Sequence, residues 1–191
     1  MKLRDRAKQS TEKIHRYVEQ APIMRAIIDG QVKGSDYLQY LVEIRDIYWI
    51  LENRITVTYL RDSMGVAGMT AKIQRDIEQI TKKLGVTEPQ CRLPCQSYVE
   101  YLNSIVSSSD QNLTRIMAHV YVRVLADFSG GKILRERLMQ LGYPVESYDI
   151  DIVARDQIID WINQQASDSV AFMGDCHIAF LSYAAILESR G

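Results

Sequence analysis

Apolar side chains recur at helical spacing along most of the chain, most regularly in its second half. Because an α-helix turns once in 3.6 residues, this spacing from about Gln111 predicts a long helix with one apolar face. Gly130 and Gly131 interrupt the pattern, which then continues to Gly142. Glycine inside a helix costs about 1 kcal/mol relative to alanine. The pair therefore marks either a kink where the backbone approaches another group or the end of one helix and the start of another. The apolar positions are Leu113, Ile116, Met117, Val120, Val124 and Phe128.

Residues typical of helix ends divide the rest of the chain into further helices. Pro22 is expected to open a short helical turn that stops at Gly30. Gly85 is expected to end a third helix in the left-handed conformation that glycine adopts without strain. The predicted helices are a first at 3–20, the short turn after Pro22, a long second helix reaching Ile55, a third at 70–84, a fourth from Ser97, the long helix from Gln111, and two more near 150–165 and 168–188.

Side-chain caps are predicted for two of these helices. Ser35 or Asp36 has the position and chemistry to cap the long second helix. Ser97 lies three residues before Glu100, which is the spacing of a capping box that would open the fourth helix. Between the second and third helices, the segment RDSMGVAG is predicted to be a loop.

Composition supports an all-α fold in a single domain covering residues 1–191. The chain has only 10 glycines and 4 prolines in 191 residues, too few turn residues for a β-sandwich or barrel. No segment predicts a convincing strand. The length suits one domain.

Charge and cysteine content exclude several functional classes. A net charge of −1 provides no overall field that would attract nucleic acid. An odd, sparse set of cysteines (Cys91, Cys95 and Cys176) argues against a disulfide scaffold and fits a reducing cytosol. These cysteines could be combined with His177 into a four-ligand zinc site, but their spacing matches no usual zinc pattern. We expect a soluble, cytoplasmic protein without a signal peptide or membrane anchor.

A polar face on the first helix is a candidate ligand site. Lys8, Thr11, His15 and Glu19 follow one another at three- and four-residue intervals and so share a helical face. A histidine whose Nδ1–H meets a carboxylate one turn on has the orientation of a metal-binding imidazole. The alternative is a half-exposed histidine in a surface network of ion pairs.

A second polar line runs along the long helix. His119, Arg123 and Asp127 are spaced by four residues on an otherwise apolar helix, and the line ends at the glycine pair. The local pattern alone does not decide whether this line leads to a kink at the glycine pair or to the end of one helix and the start of another.

The segment AHVYVRVLADFSGGKIL, which contains this line, resembles the distal-helix signature of the heme oxygenases, usually close to AHxYxRYLGDLSGGQxL. Three more segments resemble the same family: KQSTEKIHRYVEQAPIMRAIIDGQV its proximal segment, EIRDIYWILENRI its second helix and AFLSYAAILE its last. The resemblance implies an all-α helical sandwich that holds heme between the first helix and a kinked distal helix.

On the proximal side, the resemblance implies that His15 is the axial ligand of the heme iron. Glu19 would hold the Nδ1–H of His15 and fix its ring. Lys8 matches a position that pairs with a heme propionate, and Thr11 belongs to the same matching segment. The family often has a second lysine where this chain has Glu12, so the propionate clamp differs, with Arg155 as a distant replacement.

On the distal side, the resemblance assigns the acid–base role to Asp127, which would anchor a water that delivers a proton to bound oxygen. Tyr48, Tyr98 and Arg123 match polar positions that support this water. The backbone near the heme face would include Ala126, Ser129 and Gly130.

Two distal positions depart from the family pattern. The family's usual first distal glycine is Ala126 here, one turn before Gly130, where its methyl group faces the same side. Tyr183 replaces an asparagine that often joins the water network.

The implied function is a soluble, bacterial-type heme oxygenase, a monomer or weak dimer. It would take heme as substrate and cofactor, consume O₂ and reductant, and release biliverdin, ferrous iron and CO. A reductase or ferredoxin would dock on the basic cluster of Lys132, Arg135 and Arg137 with the N-terminal lysines and arginines; the alternative is that this cluster is only a solvated face. One alternative is a catalytically weak relative that carries or senses heme or a bilin. Another is a thiaminase-like or di-iron relative, which needs a cysteine nucleophile or more carboxylate and histidine ligands than this chain supplies.

Overall fold

In the computed structural model, all regular secondary structure of the described residues is helical; these residues are 1–55, 66–105, 110–149, 152–165 and 169–189. At positions 110–111, 129, 152–154 and 165 the description covers the backbone alone. The segment RDSMGVAG lies largely outside the described residues. The α-helices are α1 (Leu3–Glu19), α2 (Pro22–Ile28), α3 (Gly34–Arg54), α4 (Met69–Leu84), α5 (Leu93–Ser104), α6 (Asp110–Gln140), α7 (Ile152–Gln165) and α8 (Ser169–Glu188), with a 3₁₀ turn at Glu146–Tyr148.

Proline and glycine define helix ends as the sequence predicts. Pro22 is the first residue of α2, where the amide hydrogen that proline lacks would have no partner within the helix. Gly85 follows α4 with φ of 66°, and Gly30 follows α2 with φ of 69°. Both are in the left-handed region, which favours glycine.

The two predicted side-chain caps are wrong. Helix α3 begins one residue before Ser35, and its N-cap residue, Lys33, makes no side-chain cap. Helix α5 begins at Leu93, so Ser97 lies inside the helix and caps nothing. Pro94 explains the earlier start, because proline is favoured in the first turn of a helix.

Helix α6 runs unbroken through the glycine pair for 31 residues, about 46 Å. The alternative that one helix ends at the pair and another begins is therefore wrong. The two glycines differ in what surrounds them. A Cβ added to Gly131 would lie 3.3 Å from the Tyr148 ring, whereas one added to Gly130 would meet no atom within 4 Å.

Helix α8 packs against α1, α5 and α6. By length and composition it could cross a membrane, with a mean hydropathy of 1.6, but half of it is buried inside the fold. Its apolar character therefore suits a core helix. Because α1 and α6 both pack on α8, and α2 packs on α6, these helices enclose a common space next to α3.

Candidate functional site

A cavity of about 400 Å³ lies between α1, α3, α6 and α8. Its volume is within the range of small-molecule sites. The wall is mainly apolar and includes Val18, Ile47, Val122, Ala179 and Phe180. The polar side chains on the wall are His15, Glu19, Tyr40, Tyr98, Arg123, Asp127 and Tyr183. The cavity thus joins residues of the two polar lines that the sequence places on separate helices.

The α1 side of the cavity presents His15 with its predicted carboxylate partner. His15 Nδ1 lies 3.4 Å from Glu19 Oε1, one turn later in the helix. The His15 ring also packs edge-on against Phe180, with centroids 5.5 Å apart. A His15 tautomer with its proton on Nδ1 would direct that proton towards Glu19 and leave the Nε2 lone pair available to a metal.

Lys8 and Thr11 do not belong to the described cavity wall. Thr11 is buried and donates a hydrogen bond to the Ala7 carbonyl oxygen in its own helix at 2.8 Å. Lys8 is exposed. Their predicted roles in cofactor binding stay predictions.

On α6, the Asp127 carboxylate is held by two neighbours. Tyr48 of α3 donates its hydroxyl to Asp127 Oδ2 at 2.6 Å. Arg123 donates Nε to the same oxygen at 3.1 Å and Nη2 to Oδ1, one turn away on the same helix. The Arg123 and Asp127 side chains are only 7% and 8% exposed. The carboxylate is therefore fixed at the cavity wall by a nearly dry ion pair.

The protonation states of Arg123 and Tyr48 follow from burial together with the charge of Asp127. Burial lowers the pKa of Arg123, but Asp127 and the neighbouring tyrosines outweigh it, so this pKa lies well above its ordinary value. Burial, followed by the charge of Asp127, raises the pKa of Tyr48 well above its ordinary value. At neutral pH, Arg123 is charged and Tyr48 is a neutral donor.

Tyr183 and Tyr40 complete this side of the cavity. Tyr183 is found where the resemblance implies asparagine, and sequence reasoning missed Tyr40. The Tyr183 hydroxyl lies 2.8 Å from that of Tyr40. The Arg123 guanidinium stacks over the Tyr183 ring at 4.7 Å from the centroid. Tyr40 is two turns before Tyr48 in α3, and this repeat of tyrosines was the available signal.

Tyr98 is on the cavity wall but makes its hydrogen bond away from Asp127. Its hydroxyl lies 2.7 Å from His119 Nδ1, and His119 Nε2 lies 3.1 Å from Asp175 Oδ1. His119 is completely buried. Burial lowers its pKa despite the opposing effect of Asp175. Sequence reasoning missed Asp175, a carboxylate inside the apolar helix α8.

Two of the three residues predicted for the distal heme face are found on the cavity wall. Ala126 and Gly130, one turn apart, both line the cavity. The Ser129 side chain lies outside the described part of the structure. A Cβ at Gly130 would point into open space, so the packing of the protein chain does not itself require glycine there.

The other candidate groups lie away from the cavity. Lys132, Arg135 and Arg137 are exposed. Arg155 is also exposed and lies 3.4 Å from its neighbour, Asp156. Within the described residues, no cluster of three or more histidine, cysteine, aspartate or glutamate side chains could hold a metal ion.

Comparison with known proteins gives matches in sequence and in fold. The sequence model of the family described as "Heme oxygenase" matches residues 1–168. A chicken protein named "Heme oxygenase 1" is 28% identical over 137 residues, which are 68% of this chain and 45% of that protein. The match thus spans less than half the length of that relative.

Two solved structures have the same fold. The heme oxygenase of Leptospira interrogans superposes with a TM-score of 0.80 at 20% identity, covering 99% of this chain and 100% of that one. Heme oxygenase-1 of the cyanobacterium Synechocystis, in complex with heme, superposes with a TM-score of 0.80 at 17% identity, covering 99% and 92% of the two chains.

Proposed function

We propose, from the premise that this chain belongs to the heme oxygenase family, that it binds heme in the cavity between α1 and α6 and cleaves it oxidatively. The products are biliverdin, ferrous iron and CO, and the reaction consumes O₂ and electrons from a reductase or ferredoxin. One observation carries the proposal: a single apolar cavity is lined by a histidine oriented for metal binding and by a fixed carboxylate on a second helix.

The residues of the cavity fit a heme group. Heme is a flat, largely apolar plate, and the wall offers aliphatic and aromatic side chains from six helices. The missing Cβ of Gly130 leaves room for a plate close to the α6 backbone. His15 Nε2 makes no hydrogen bond to any described residue, so it would be available to bind the heme iron.

Heme supplies an iron that binds O₂ and a ring that is oxidised. His15 would hold the iron through Nε2, and Glu19, whose Oε1 lies 3.4 Å from Nδ1, would keep the imidazole oriented. Ile47, Val122 and Phe180 form apolar wall that excludes bulk water. Exclusion of water strengthens the electrostatic effect of the few polar groups that remain.

Asp127 orients the proton-donating water. Both of its oxygens already accept hydrogen bonds from Arg123, and Tyr48 adds one to Oδ2. Asp127 would accept a hydrogen bond from this water and would not itself touch the reacting oxygen. A water held in this way transfers protons more gently than a direct acid–base pair.

The proposal also covers the location of the protein, its oligomeric state and the docking site of its electron donor. We place the protein in the cytoplasm as a single domain of residues 1–191, a monomer or weak dimer. The electron donor docks on the exposed basic cluster of Lys132, Arg135 and Arg137, where an acidic partner gains favourable long-range attraction. Lys8 and Thr11 contribute to seating of the heme.

A second candidate is a heme or bilin carrier or sensor with little turnover. Ala126 favours this candidate, because its methyl group lies on the cavity wall one turn before Gly130. Such a protein would bind heme through His15 and leave it intact.

Titration of the protein with hemin, followed by ascorbate or a reductase system in air, separates the two candidates. The proposal expects a histidine-ligated heme spectrum that converts to that of biliverdin. Asp127→Ala is the matched control, expected to bind hemin without making biliverdin. A stable hemin complex without biliverdin in the parent would favour the carrier, and absence of a hemin spectrum would reject both.

A further inference from the structure

A chain of hydrogen-bonding groups leads from the cavity wall to the protein surface through His119. Tyr98 lines the cavity, and its hydroxyl lies 2.7 Å from His119 Nδ1. His119 Nε2 lies 3.1 Å from Asp175 Oδ1. Asp175 also accepts from Tyr101 and, at 2.9 Å, from Nε of Arg115. The Arg115 side chain is 31% exposed, so the chain ends at solvent.

The direction of each hydrogen bond follows from the charges in this chain. Burial raises the pKa of Asp175, but hydrogen bonds from His119, Tyr101 and Arg115 outweigh it and lower this pKa overall. Asp175 is therefore an ionised acceptor. His119, with a pKa that burial lowers, is neutral at neutral pH. A neutral imidazole carries one proton, and the carboxylate holds that proton on Nε2.

His119 Nδ1 must then be an acceptor, and among the described residues the donor to it is the Tyr98 hydroxyl, 2.7 Å away. The Tyr98 proton consequently points away from the cavity. We propose that His119 and Asp175 are positioning residues that turn Tyr98 into a hydrogen-bond acceptor towards the cavity. Tyr98 then orients the distal water network by accepting a hydrogen bond from it, whereas Tyr48 donates to Asp127 from the other side.

This inference rests on the proposed function for the identity of the cavity ligand, but not for the state of His119. The groups that face His119 are Tyr98 and Tyr101 of α5, Asp175 of α8 and the charge of Arg115 of α6. Because Arg115 Nε can only donate, the amide oxygen introduced by Asp175→Asn must turn towards Arg115.

The amide nitrogen introduced by the same substitution would then face His119 Nε2 and donate to it. Asp175→Asn is therefore expected to move the His119 proton from Nε2 to Nδ1 without changing the size of any side chain. His119 Nδ1–H would donate to Tyr98, whose own proton would turn into the cavity.

The first measurement is ¹⁵N NMR of histidine-labelled protein without heme. The parent is expected to show His119 protonated on Nε2, and Asp175→Asn to show it protonated on Nδ1. In Tyr98→Phe, the Nδ1 resonance should move towards that of an unbonded ring nitrogen. A parent protonated on Nδ1, or a Tyr98→Phe spectrum with unchanged Nδ1, would overturn the proposal. These two tests stand even where Asp175→Asn fails to fold.

The second measurement is the pH midpoint of the visible absorbance transition of the hemin complex, which reports loss of a proton from distal water. A Tyr98 donor stabilises the deprotonated form, so Asp175→Asn should lower this midpoint by about half a unit or more. The same substitution in a Tyr98→Phe background should have no effect, which separates positioning through Tyr98 from the loss of a charge. An equal shift in both backgrounds would contradict the proposal.

His119→Gln, which offers an acceptor to Tyr98 and a donor to Asp175, should keep the parental midpoint. A parent without any hemin complex would instead refute the proposed function and leave the NMR result standing.

Discussion

Arg123 and Asp127 form an ion pair one helical turn apart in which both side chains are nearly inaccessible to water. An exposed pair with the same spacing, Glu12 and Arg16, is found in α1. The two pairs differ in what surrounds them. The buried pair lies on the cavity wall and contacts two tyrosines, Tyr48 and Tyr183, whereas the exposed pair lies in solvent.

Replacement of Asp127 by alanine is expected to keep hemin binding and to lower biliverdin formation by about 10²–10⁴-fold, the usual cost of losing acid–base assistance. The physical reason is that the carboxylate orients water and does not contact the iron. Single-turnover assays with saturating hemin and ascorbate measure this loss. A normal biliverdin yield would show that Asp127 has no part in proton transfer.

The same substitution should destabilise the protein, because it leaves the Arg123 charge buried without its partner. Loss of one member of a buried pair costs about 3–5 kcal/mol. Glu12→Ala is the control, since an exposed pair at this spacing contributes about 0.5 kcal/mol or less. Urea unfolding of the two variants beside the parent compares them. Equal effects would mean that burial does not set the strength of the Arg123–Asp127 pair.

His15→Ala is expected to abolish the histidine-ligated hemin spectrum and turnover, because no other described imidazole lines the cavity. Added imidazole should restore both in part by filling the space of the side chain. His119→Gln serves as the control and should keep the ligated spectrum, because His119 hydrogen-bonds to Tyr98 and Asp175. A parental spectrum in His15→Ala would refute the assignment of the axial ligand.

The neighbouring glycines offer a matched pair of alanine substitutions. Gly130→Ala should stabilise the heme-free protein by up to about 1 kcal/mol, because its Cβ meets no atom within 4 Å and alanine favours the helix. It should also weaken hemin binding at least tenfold, because the methyl group enters the space for heme.

Gly131→Ala should change neither the stability of the heme-free protein nor its hemin affinity in this way. Its Cβ would lie 3.3 Å from the Tyr148 ring, so displacement of that ring offsets the gain in helix propensity. Hemin affinity should remain near that of the parent. Thermal unfolding and hemin titration of both variants check this, and equal hemin affinities would remove the argument for close approach of heme to Gly130.

Burial of His119 predicts a stability that depends on pH. Its folded-state pKa lies below the ordinary value of 6.5, so the unfolded chain binds a proton first as the pH falls. The stability from the neutral ring is thus complete above about pH 6.5 and is lost as the pH falls from there towards the folded-state pKa. Urea unfolding between pH 8 and 5 should show this loss in the parent and a flatter dependence in His119→Gln. The same pH dependence of the unfolding free energy in the parent and in His119→Gln would mean that His119 has the same pKa in the folded and unfolded states.

Ala126 is expected to be compatible with turnover. Natural sequences tend to be locally consistent, so the surroundings of the extra methyl group should compensate for it. We expect the parent to make biliverdin and Ala126→Gly to change the rate by less than about tenfold, or roughly 1.4 kcal/mol. A parent that leaves heme intact, together with an Ala126→Gly variant that makes biliverdin, would favour the carrier.

Features that depend on near neighbours in the chain could be predicted from the sequence. The spacing of apolar residues predicts the helices, and Pro22 and Gly85 set helix ends through their own backbone preferences. His15 and Glu19 could be paired in advance, because side chains four residues apart in a helix are neighbours. The capping predictions at Ser35 and Ser97 are wrong, since several residues can serve as a cap and packing selects the helix start.

Features that join distant segments were decided by the tertiary structure alone. Tyr40 and Tyr183 are 143 residues apart, and His119 and Asp175 are 56 apart, yet each pair shares a hydrogen bond. Spacing in the sequence carries no information about such pairs, because the packing of α3 and α6 on α8 and its neighbours sets their distance. The same packing buries Asp175 and Arg123 and brings them next to the hydrogen-bond and charge partners that keep both groups ionised against the effect of burial.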